Sequence, residues 1–368
     1  MASVHKKVIV IHEYGEPSHY SGLSQWCNKN QVDIEFRSFN VLKRIYLLLR
    51  KKKKDSLNAI FSDFIWFIIV CLYPGFLKNK LCVIGMAPFD IAVVPMLRIL
   101  KACKFIYHTS WLYWDGVDVP KKSFFFSNLV KNKWQTFLVR AQAVAAVTPD
   151  VKDNLNRHYP VTAGKTEVVY HSFDPDVFNA DNRTADEKIR VTFLGRLEEY
   201  KGMESLVSLA QQLPDVHFNI IGAGAKREYI INCSKELDNL NFFGFIKEKE
   251  LIANALKKSD IIILPSQKIP GWEELFGMAL IEAMACGCIP IAVDHRGPLT
   301  ILKSTGLSEN ILPESEFVQQ AFNKINYLKS HLPIICEQKE QSKLIAEKYT
   351  INSISNIWDK IIYNRMVK

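Results

Sequence analysis

The stretch DIIILPSQKIPGWEELFGMALIEAMACGCIPIAV, residues 260–293, contains a strand, a loop, a helix and a second strand. Both ends are continuous apolar runs, which is the pattern of strands buried on both faces of a parallel sheet. Two glutamates, Glu274 and Glu282, lie eight residues apart across a Phe-Gly turn and a run of small and apolar residues. A helix that only had to pack would not need a carboxylate at both ends, so this stretch also points to a ligand.

The same alternation of short apolar runs and longer helical patterns extends over the whole chain. Two successive arrays of this kind predict an α/β protein of two Rossmann-like, doubly wound domains facing across a cleft. The predicted strands are 7–13, 33–39, 81–87, 104–110, 143–149 and 166–172 in the first half, and 189–195, 217–224, 240–246, 260–266 and 288–294 in the second, where helices are expected at 201–213, 225–238, 247–258 and 275–287.

A polar stretch without hydrophobic period, residues 173–188, carries Asp, Asn and Pro and is the predicted linker. The first domain is therefore expected over 1–172 and the second over 189–345. Residues 346–368 are expected to form one more helix, which can pack back on the first domain.

Composition narrows the class of protein. Of 368 residues, 48% are hydrophobic and 23% charged, which argues against a disordered or fibrous chain. The apolar run near the start, in MASVHKKVIVIHEYG, is too short for a secretory signal. Eight cysteines are scattered without the spacing of metal ligands, so we expect a reducing, cytoplasmic compartment and no metal.

Positive charge is concentrated at the beginning of the chain. Residues 1–110 contain 16 Lys and Arg against 7 Asp and Glu, so they carry the whole net charge of +9. A basic run, Arg50, Lys51, Lys52, Lys53 and Lys54, is followed by the apolar stretch 59–76, which is too short to cross a bilayer. Peripheral binding to anionic lipid is one interpretation. A solvated loop over a core helix is another, and nucleic acid is disfavoured because no nucleic-acid motif accompanies the run.

The segment FLGRLEEYKG, residues 193–202, follows a strand and opens a helix. Gly195 permits close approach of the backbone, and Arg196 and Lys201 bring two cations to the same strand end. A helix N-terminus already favours anions, so this arrangement suits a diphosphate.

The segment GAGAKR, residues 222–227, departs from a dinucleotide fingerprint because Arg occupies the position of the third glycine. We interpret Gly222 and Gly224 as a tight turn near a ligand phosphate or sugar, and we do not infer NAD.

The two glutamates of the opening stretch fit the same ligand. Phe276 and Gly277 are expected to begin a helix, and a ligand would be held at the backbone N–H groups of Phe276, Gly277 and Met278. A carboxylate accepts hydrogen bonds, and adjacent ribose hydroxyls offer two donors. One of Glu274 and Glu282 can therefore orient a sugar and the other a ribose, with a diphosphate between them.

At these residues the chain resembles a known family. GRLEEYKG and EELFGMALIEAMACGCIPIAV are similar to the C-terminal halves of retaining family 4 glycosyltransferases, which have the GT-B fold. The hallmark of that family is E-x(7)-E, here Glu274 and Glu282, preceded by an Arg…Lys pair, here Arg196 and Lys201. In the first half, FIYHTS resembles the strand that ends in a histidine of the sugar site, here His108. The first loop keeps only Gly15 and Gly22 of the family's glycines.

The resemblance implies transfer of a sugar from a nucleotide donor, UDP or GDP, with retention at the anomeric carbon and without a metal. Arg196, Lys201 and a helix N-terminus would neutralise the leaving diphosphate. Glu274 would bind the donor and stabilise charge, and His108 would hydrogen-bond the donor sugar. Phe245, near the end of the predicted strand 240–246, is a further candidate for donor binding.

The first domain is expected to hold the acceptor. Its positive charge and the aromatic segment HTSWLYWDGVD, residues 108–118, favour an anionic, amphipathic acceptor at the inner face of the plasma membrane. A lipid-linked saccharide of bacterial surface polysaccharide or lipopolysaccharide synthesis would fit. Trp111, Trp114 and Asp115, with Gly15 and Gly22, are the candidate residues, and the tryptophans could equally be packing.

Three other functions stay open from the sequence. They are a soluble glycosyltransferase acting on a small molecule, a nucleotide-sugar 2-epimerase with the same fold, and a non-catalytic scaffold at the membrane.

Overall fold

The computed structural model of the chain describes residues 7–13, 16–40, 44–46, 57–114, 127–180 and 188–367. The chain divides into two compact units, one formed by Met1–His171 with Asn352–Lys368 and the other by Ser172–Ile351. Three groups of predicted residues lie outside the described residues: Gly15, the basic run Arg50 to Lys54, and Asp115.

Each unit is built on a fully parallel sheet of six strands. The first sheet has the order β2-β1-β3-β4-β5-β6 and the second the order β12-β11-β10-β7-β8-β9. The strands are β1 (Lys7–His12), β2 (Asp33–Ser38), β3 (Leu81–Gly85), β4 (Lys104–Thr109), β5 (Ala143–Ala146), β6 (Thr166–Val168), β7 (Arg190–Leu194), β8 (His217–Ile221), β9 (Leu240–Gly244), β10 (Ile261–Leu264), β11 (Ile289–Val293) and β12 (Ile311–Leu312).

Helices connect successive strands, as parallel pairing requires. They are α1 (Ser21–Lys29), α2 (Leu57–Leu72), α3 (Val93–Ile99), α4 (Ser127–Arg140), α5 (Pro149–His158), α6 (Met203–Gln212), α7 (Arg227–Glu236), α8 (Lys249–Lys257), α9 (Met278–Ala285), α10 (Arg296–Leu302), α11 (Phe317–Ser330), α12 (Leu332–Ala346) and α13 (Ile351–Ile362).

In the first unit, alternate residues of the strands serve two cores. Ile9 and Ile11 of β1 belong to one buried cluster, and Val8 and Val10 belong to the other. Since successive side chains of a strand point to opposite faces, both faces of this sheet are covered. Because both faces are covered, the strands appear in the sequence as continuous apolar runs.

The C-terminal helix α13 completes the second of these cores. Trp358 is buried in the same cluster as Val8 and Val10. The indole Nε1 of Trp26, on α1, donates to Oδ1 of Asp359 at 2.8 Å. The last helix of the chain is therefore part of the first unit.

The second unit has a core between its sheet and the helices α6, α11 and α12. Val191 and Phe193 of β7 pack there with Ile261 and Ile263 of β10. All eleven strands predicted from the sequence are present, in somewhat shorter form. The helix expected from Phe276 begins instead at Met278, because Gly277 has a φ of 90°, outside the helical region.

No helix among the described residues is long and apolar enough to cross a membrane. Helix α2 instead has two unlike faces. Ile60, Asp63, Trp66 and Val70 are buried, while the opposite face of the helix is exposed.

Replacing Trp358 by Ala is expected to destabilise the first unit by about 3–5 kcal/mol, because a fully buried aromatic ring would leave a cavity. Hydrogen exchange of peptides from β1 and β4 in denaturant would measure the loss. The exposed residue Lys360 of the same helix, changed to Ala, is the matched control and should change nothing. An equal loss of protection in β7 and β10 would show that α13 stabilises more than the first unit.

Candidate functional site

A cavity of about 300 Å³ lies at the carboxyl edge of the second sheet. It is located where β7 and β10 are neighbours, which is where the strand order reverses. Open α/β sheets bind ligands at such a point. Six of the predicted residues line this cavity: Gly195, Lys201, Glu274, Gly277, Met278 and Glu282. Ser266, Leu264 and Ile252 line it as well.

Lys201 and Glu274 form an ion pair beside this cavity, although 73 residues separate them in the chain. Lys201 ends a short 3-10 turn, Glu199–Lys201, and its ammonium group also lies 4.7 Å from the centre of the Trp272 ring. Trp272 in turn packs on Tyr200, with ring centres 4.1 Å apart. The pair is largely buried, so the two charges stabilise each other in a position where solvent screens them little.

Glycines let the loops around the cavity approach backbone to backbone. Gly202 has a φ of 73°, and a Cβ there would lie 1.9 Å from the carbonyl oxygen of Pro265. A Cβ on Gly222 would lie 1.8 Å from the oxygen of Gly195, and one on Gly224 would lie 2.4 Å from the oxygen of Leu197. Gly222 and Gly224 therefore act by holding the loop after β8 against the loop after β7.

Helix α9 starts at the cavity. Gly277 adopts the left-handed conformation and Met278 is the first helical residue. The first N–H groups of a helix have no partner inside it and carry partial positive charge. This end of α9, with Lys201, gives the cavity a preference for an anion.

Glu282 lies one turn further along α9 and is largely buried. Burial raises the pKa of its carboxyl to about 7, and Lys249 on α8 opposes this shift. Glu282 is thus partly protonated near neutral pH in the free protein, and it can both donate and accept hydrogen bonds.

Two predicted donor-binding residues are more exposed than the ion pair. Arg196 follows β7, and its guanidinium carbon lies 5.9 Å from the centre of the Tyr200 ring. Phe245 follows β9 and is 71% exposed. Both lie at the carboxyl edge of the second sheet because their strands end there.

The first unit has a cavity of its own, of about 190 Å³, at the carboxyl ends of β1, β3 and β4. His108 is the last residue but one of β4 and lines the cavity. His12, the last residue of β1, and Glu13, which follows it, line the cavity as well. His12 and Glu13 were missed in the sequence, although their place at a strand end is a usable signal. The strand order of the first sheet reverses at β1 and β3, so this cavity too lies at a switch point.

Four imidazoles cluster here. The ring of His19 lies 5.2 Å from His12, 5.3 Å from His108 and 5.2 Å from His171. Burial lowers the pKa of His12 and of His19 to about 4 and that of His171 to about 3, and it also holds the pKa of His108 well below its ordinary value. The cluster is therefore uncharged at neutral pH, and a neutral imidazole both donates and accepts.

The predicted acceptor residues have different positions. Trp111 lines the first-unit cavity. Trp114 is 2% exposed and packs against Trp134 and Tyr107, which is the packing alternative that the sequence left open for this ring. Gly22 is buried within α1. Across the ranges that the structure describes, no group of three His, Cys, Asp or Glu residues could hold a metal ion.

Comparison with known proteins places the second unit in a family. Residues 176–348 match the family described as Glycosyl transferases group 1. An uncharacterized glycosyltransferase of Haemophilus influenzae is 26% identical over 203 residues, which cover 54% of this chain and 56% of the relative. A phosphatidyl-myo-inositol mannosyltransferase of Propionibacterium freudenreichii is 31% identical over 184 residues, covering 48% and 44%. This chain thus spans about half the length of these curated relatives.

The fold has solved counterparts. The Anabaena protein Alr3699/HepE, crystallised in complex with UDP, matches with a TM-score of 0.68 over 97% of this chain and 100% of its own, at 15% identity. At this identity the likeness establishes the fold. The predictions of the GT-B fold and of a glycosyltransferase domain are confirmed.

The stability of the free protein is expected to depend on pH through Glu282. Between the ordinary pKa of 4.5 and the raised value of about 7, the folded chain binds more protons at this carboxyl than the unfolded chain does. Its contribution to stability therefore falls as pH rises through this window. The variant Glu282→Gln has no titrating group at this position. The free energy of unfolding of the variant minus that of the unmodified protein should therefore increase by about 3 kcal/mol from pH 4.5 to 7.5.

Denaturant unfolding of both proteins across this range would measure the difference. Glu250→Gln, at an exposed position of α8, is the control and should give a flat difference. A flat difference for Glu282→Gln as well would mean that its carboxyl is solvated.

Proposed function

We propose that this chain, whose second unit is a group 1 glycosyltransferase domain, transfers a sugar with retention of configuration from a nucleotide-diphosphate sugar to a lipid-linked saccharide, at the inner face of the plasma membrane. The observation that carries the proposal is the cavity that collects Lys201, Glu274, Glu282 and the start of α9. Synthesis of a bacterial surface polysaccharide is the process that fits such an acceptor.

The second unit would bind the donor by its charges. The diphosphate accepts hydrogen bonds from the first N–H groups of α9 and from Lys201, whose ammonium has three donors and uses one on Glu274. Arg196, exposed beside this edge, adds a second cation. Glu282 accepts from the ribose hydroxyls. HepE was crystallised with UDP, which makes UDP-sugars the first donors to test.

Glu274 would act on the transferred sugar. Its carboxylate is held by Lys201, so it is available to hydrogen-bond sugar hydroxyls and to stabilise positive charge that develops at the anomeric carbon. The bond from that carbon to the phosphate oxygen breaks, and the bond to the acceptor oxygen forms on the same face. The acceptor proton passes to the departing phosphate, so no side chain need form a covalent intermediate.

The first unit would contribute uncharged hydrogen-bonding groups. The neutral imidazoles of His12, His19 and His108 suit sugar hydroxyls, which need both donors and acceptors. Trp111 lines the same cavity and offers an apolar ring.

The membrane part of the proposal rests on α2. Nine large apolar side chains between residues 57 and 76 are exposed: Leu57, Phe61, Phe64, Ile65, Ile68, Ile69, Leu72, Tyr73 and Phe76. The one acidic residue of α2, Asp63, faces inward, where it pairs with Arg44 and lies 3.5 Å from Arg37. The outer face is therefore apolar, and the sequence places the basic run 50–54 just before it. An interfacial helix has this composition.

Substitutions of Lys201 and Glu274 should separate the binding of UDP from the reaction of the donor sugar. Lys201→Ala is expected to weaken binding of UDP at least tenfold, since it removes a charge-assisted hydrogen bond of about 1.5–3 kcal/mol. Glu274→Gln should keep most UDP affinity and lower hydrolysis of the donor sugar by about 100-fold or more. Calorimetry with UDP and hydrolysis of UDP- and GDP-sugars, with EDTA present, would measure both.

Lys303→Ala and Glu250→Gln are the controls, since neither residue lines the cavity. Unchanged turnover in Glu274→Gln would overturn the assignment of this glutamate. Recovery of an epimerised nucleotide-sugar in place of a transferred sugar would favour a 2-epimerase.

A charge on the outer face of α2 should release the protein from lipid. Each large apolar side chain that enters the interface contributes about 1.5–3 kcal/mol, so Ile65→Asp with Ile68→Asp is expected to abolish flotation with vesicles containing phosphatidylglycerol. Phe243→Asp, at an exposed position of the second unit, is the control and should float as before. If neither the unmodified protein nor this control floats, the membrane part of the proposal is wrong.

A further inference from the structure

We propose that His295 and Glu314 anchor the loop that carries Glu274, and that His295 is a positioning residue for the transfer reaction. The loop is 265–277, between β10 and α9. The role of His295 in the transfer reaction rests on the proposed function, whereas the anchoring of the loop is a property of the fold. His295 does not line the donor cavity, so its action passes through Glu274.

His295 is buried and is bonded on both sides of its ring. Its Nδ1 accepts the backbone N–H of Glu274 at 3.3 Å, and its Nε2 lies 2.9 Å from Oε2 of Glu314. A ring that accepts at Nδ1 carries its proton at Nε2, which then donates to the carboxylate. One tautomer thus satisfies both bonds.

Glu314 ties a second point of the same loop. Its two carboxylate oxygens each lie 3.1 Å from the backbone nitrogen of Lys268, whose N–H donates to them. Its own backbone N–H donates to Oδ1 of Asp294 at 3.2 Å. The carboxylate of Glu314 therefore joins the tip of the loop, at Lys268, to the imidazole that holds the backbone of Glu274.

The residues after His295 complete the contact with the loop. The N–H of Gly297 donates to the carbonyl of Glu274 at 2.8 Å, and a Cβ on Gly297 would lie 2.6 Å from the nitrogen of Phe276. Nε of Arg296 donates to Oε1 of Glu273 at 3.0 Å. Both backbone groups of Glu274 are held in this way, and its side chain is left to pair with Lys201.

An anchor is needed here because the tip of the loop, residues 267–271, is exposed to solvent. An exposed loop without such ties would sample several conformations. A shift of about 1 Å in a positioned group can cost roughly 100-fold in rate. The anchor would thus convert an exposed loop into a fixed support for one carboxylate.

The variant His295→Leu tests the proposal, since it keeps a similar volume and removes both ring nitrogens. Hydrogen exchange of the peptide 267–277 is expected to become about tenfold faster, the value for loss of about 1.4 kcal/mol of local stability. Exchange of β7 and β11 should stay as in the unmodified protein. Turnover of the donor should fall about tenfold or more, while affinity for UDP falls less, because Lys201 and α9 remain.

Three further variants separate positioning from a general loss of packing. His295→Asn should recover much of the protection and turnover, since its amide oxygen can accept from the N–H of Glu274. Glu314→Ala should resemble His295→Leu, and the double variant should lose little more than either one. His331→Leu removes a histidine that directly follows α11 and bonds the carbonyl of Tyr327 in that helix, and it should leave exchange of the loop and turnover unchanged.

Unchanged exchange of 267–277 in folded His295→Leu would overturn the anchor. Faster exchange with unchanged kcat would overturn the positioning role. If no nucleotide-sugar binds even to the unmodified protein, the proposed function fails on its own, and the exchange experiment still decides whether the anchor exists.

Discussion

Backbone packed directly against backbone at the carboxyl edge of the second sheet is the constraint on which the cavity of the second unit depends. Gly202 meets Pro265, Gly222 meets Gly195, and Gly297 meets Phe276, each at a separation that no side chain could enter. These contacts draw four loops to one point. Lys201 directly precedes Gly202, and Glu274 lies two residues before Phe276. The ion pair is therefore a consequence of glycine positions far apart in the chain.

The two cavities have different electrostatics, although both lie at switch points of parallel sheets. The second unit places opposite charges together and adds the positive end of α9. The first unit contains four histidines close together, and their burial keeps the imidazoles neutral. A charged cavity suits a diphosphate, whose charge must be neutralised, and an uncharged one suits hydroxyl groups. This difference agrees with the proposal that the second unit binds the nucleotide and that the first unit contributes hydrogen bonds to a sugar.

The local sequence pattern predicted much of the fold and of the site, and the errors of the prediction have identifiable causes. The strands were found because strands buried on both faces are continuous apolar runs. The start of α9 was misplaced because glycine leaves the backbone conformation open, and only the packing around Gly277 selects a φ of 90°. The role of Trp114 stayed open between ligand contact and packing because a sequence does not tell whether an aromatic ring faces solvent or Trp134. His295 and Glu314 gave no signal, since their role exists only in contacts across the fold.

By itself the sequence determined the parallel α/β architecture, the family resemblance of the second half, and the residue types at the strand ends. These follow from short-range periodicity and from motifs a few residues long. Only the tertiary structure decided that Lys201 pairs with Glu274, that Glu282 is buried enough to hold its proton near neutral pH, that four histidines share one site, and that the outer face of α2 is exposed. Each of these is a property of groups brought together from separate parts of the chain, and desolvation and pairing energies depend on that proximity and not on the local sequence.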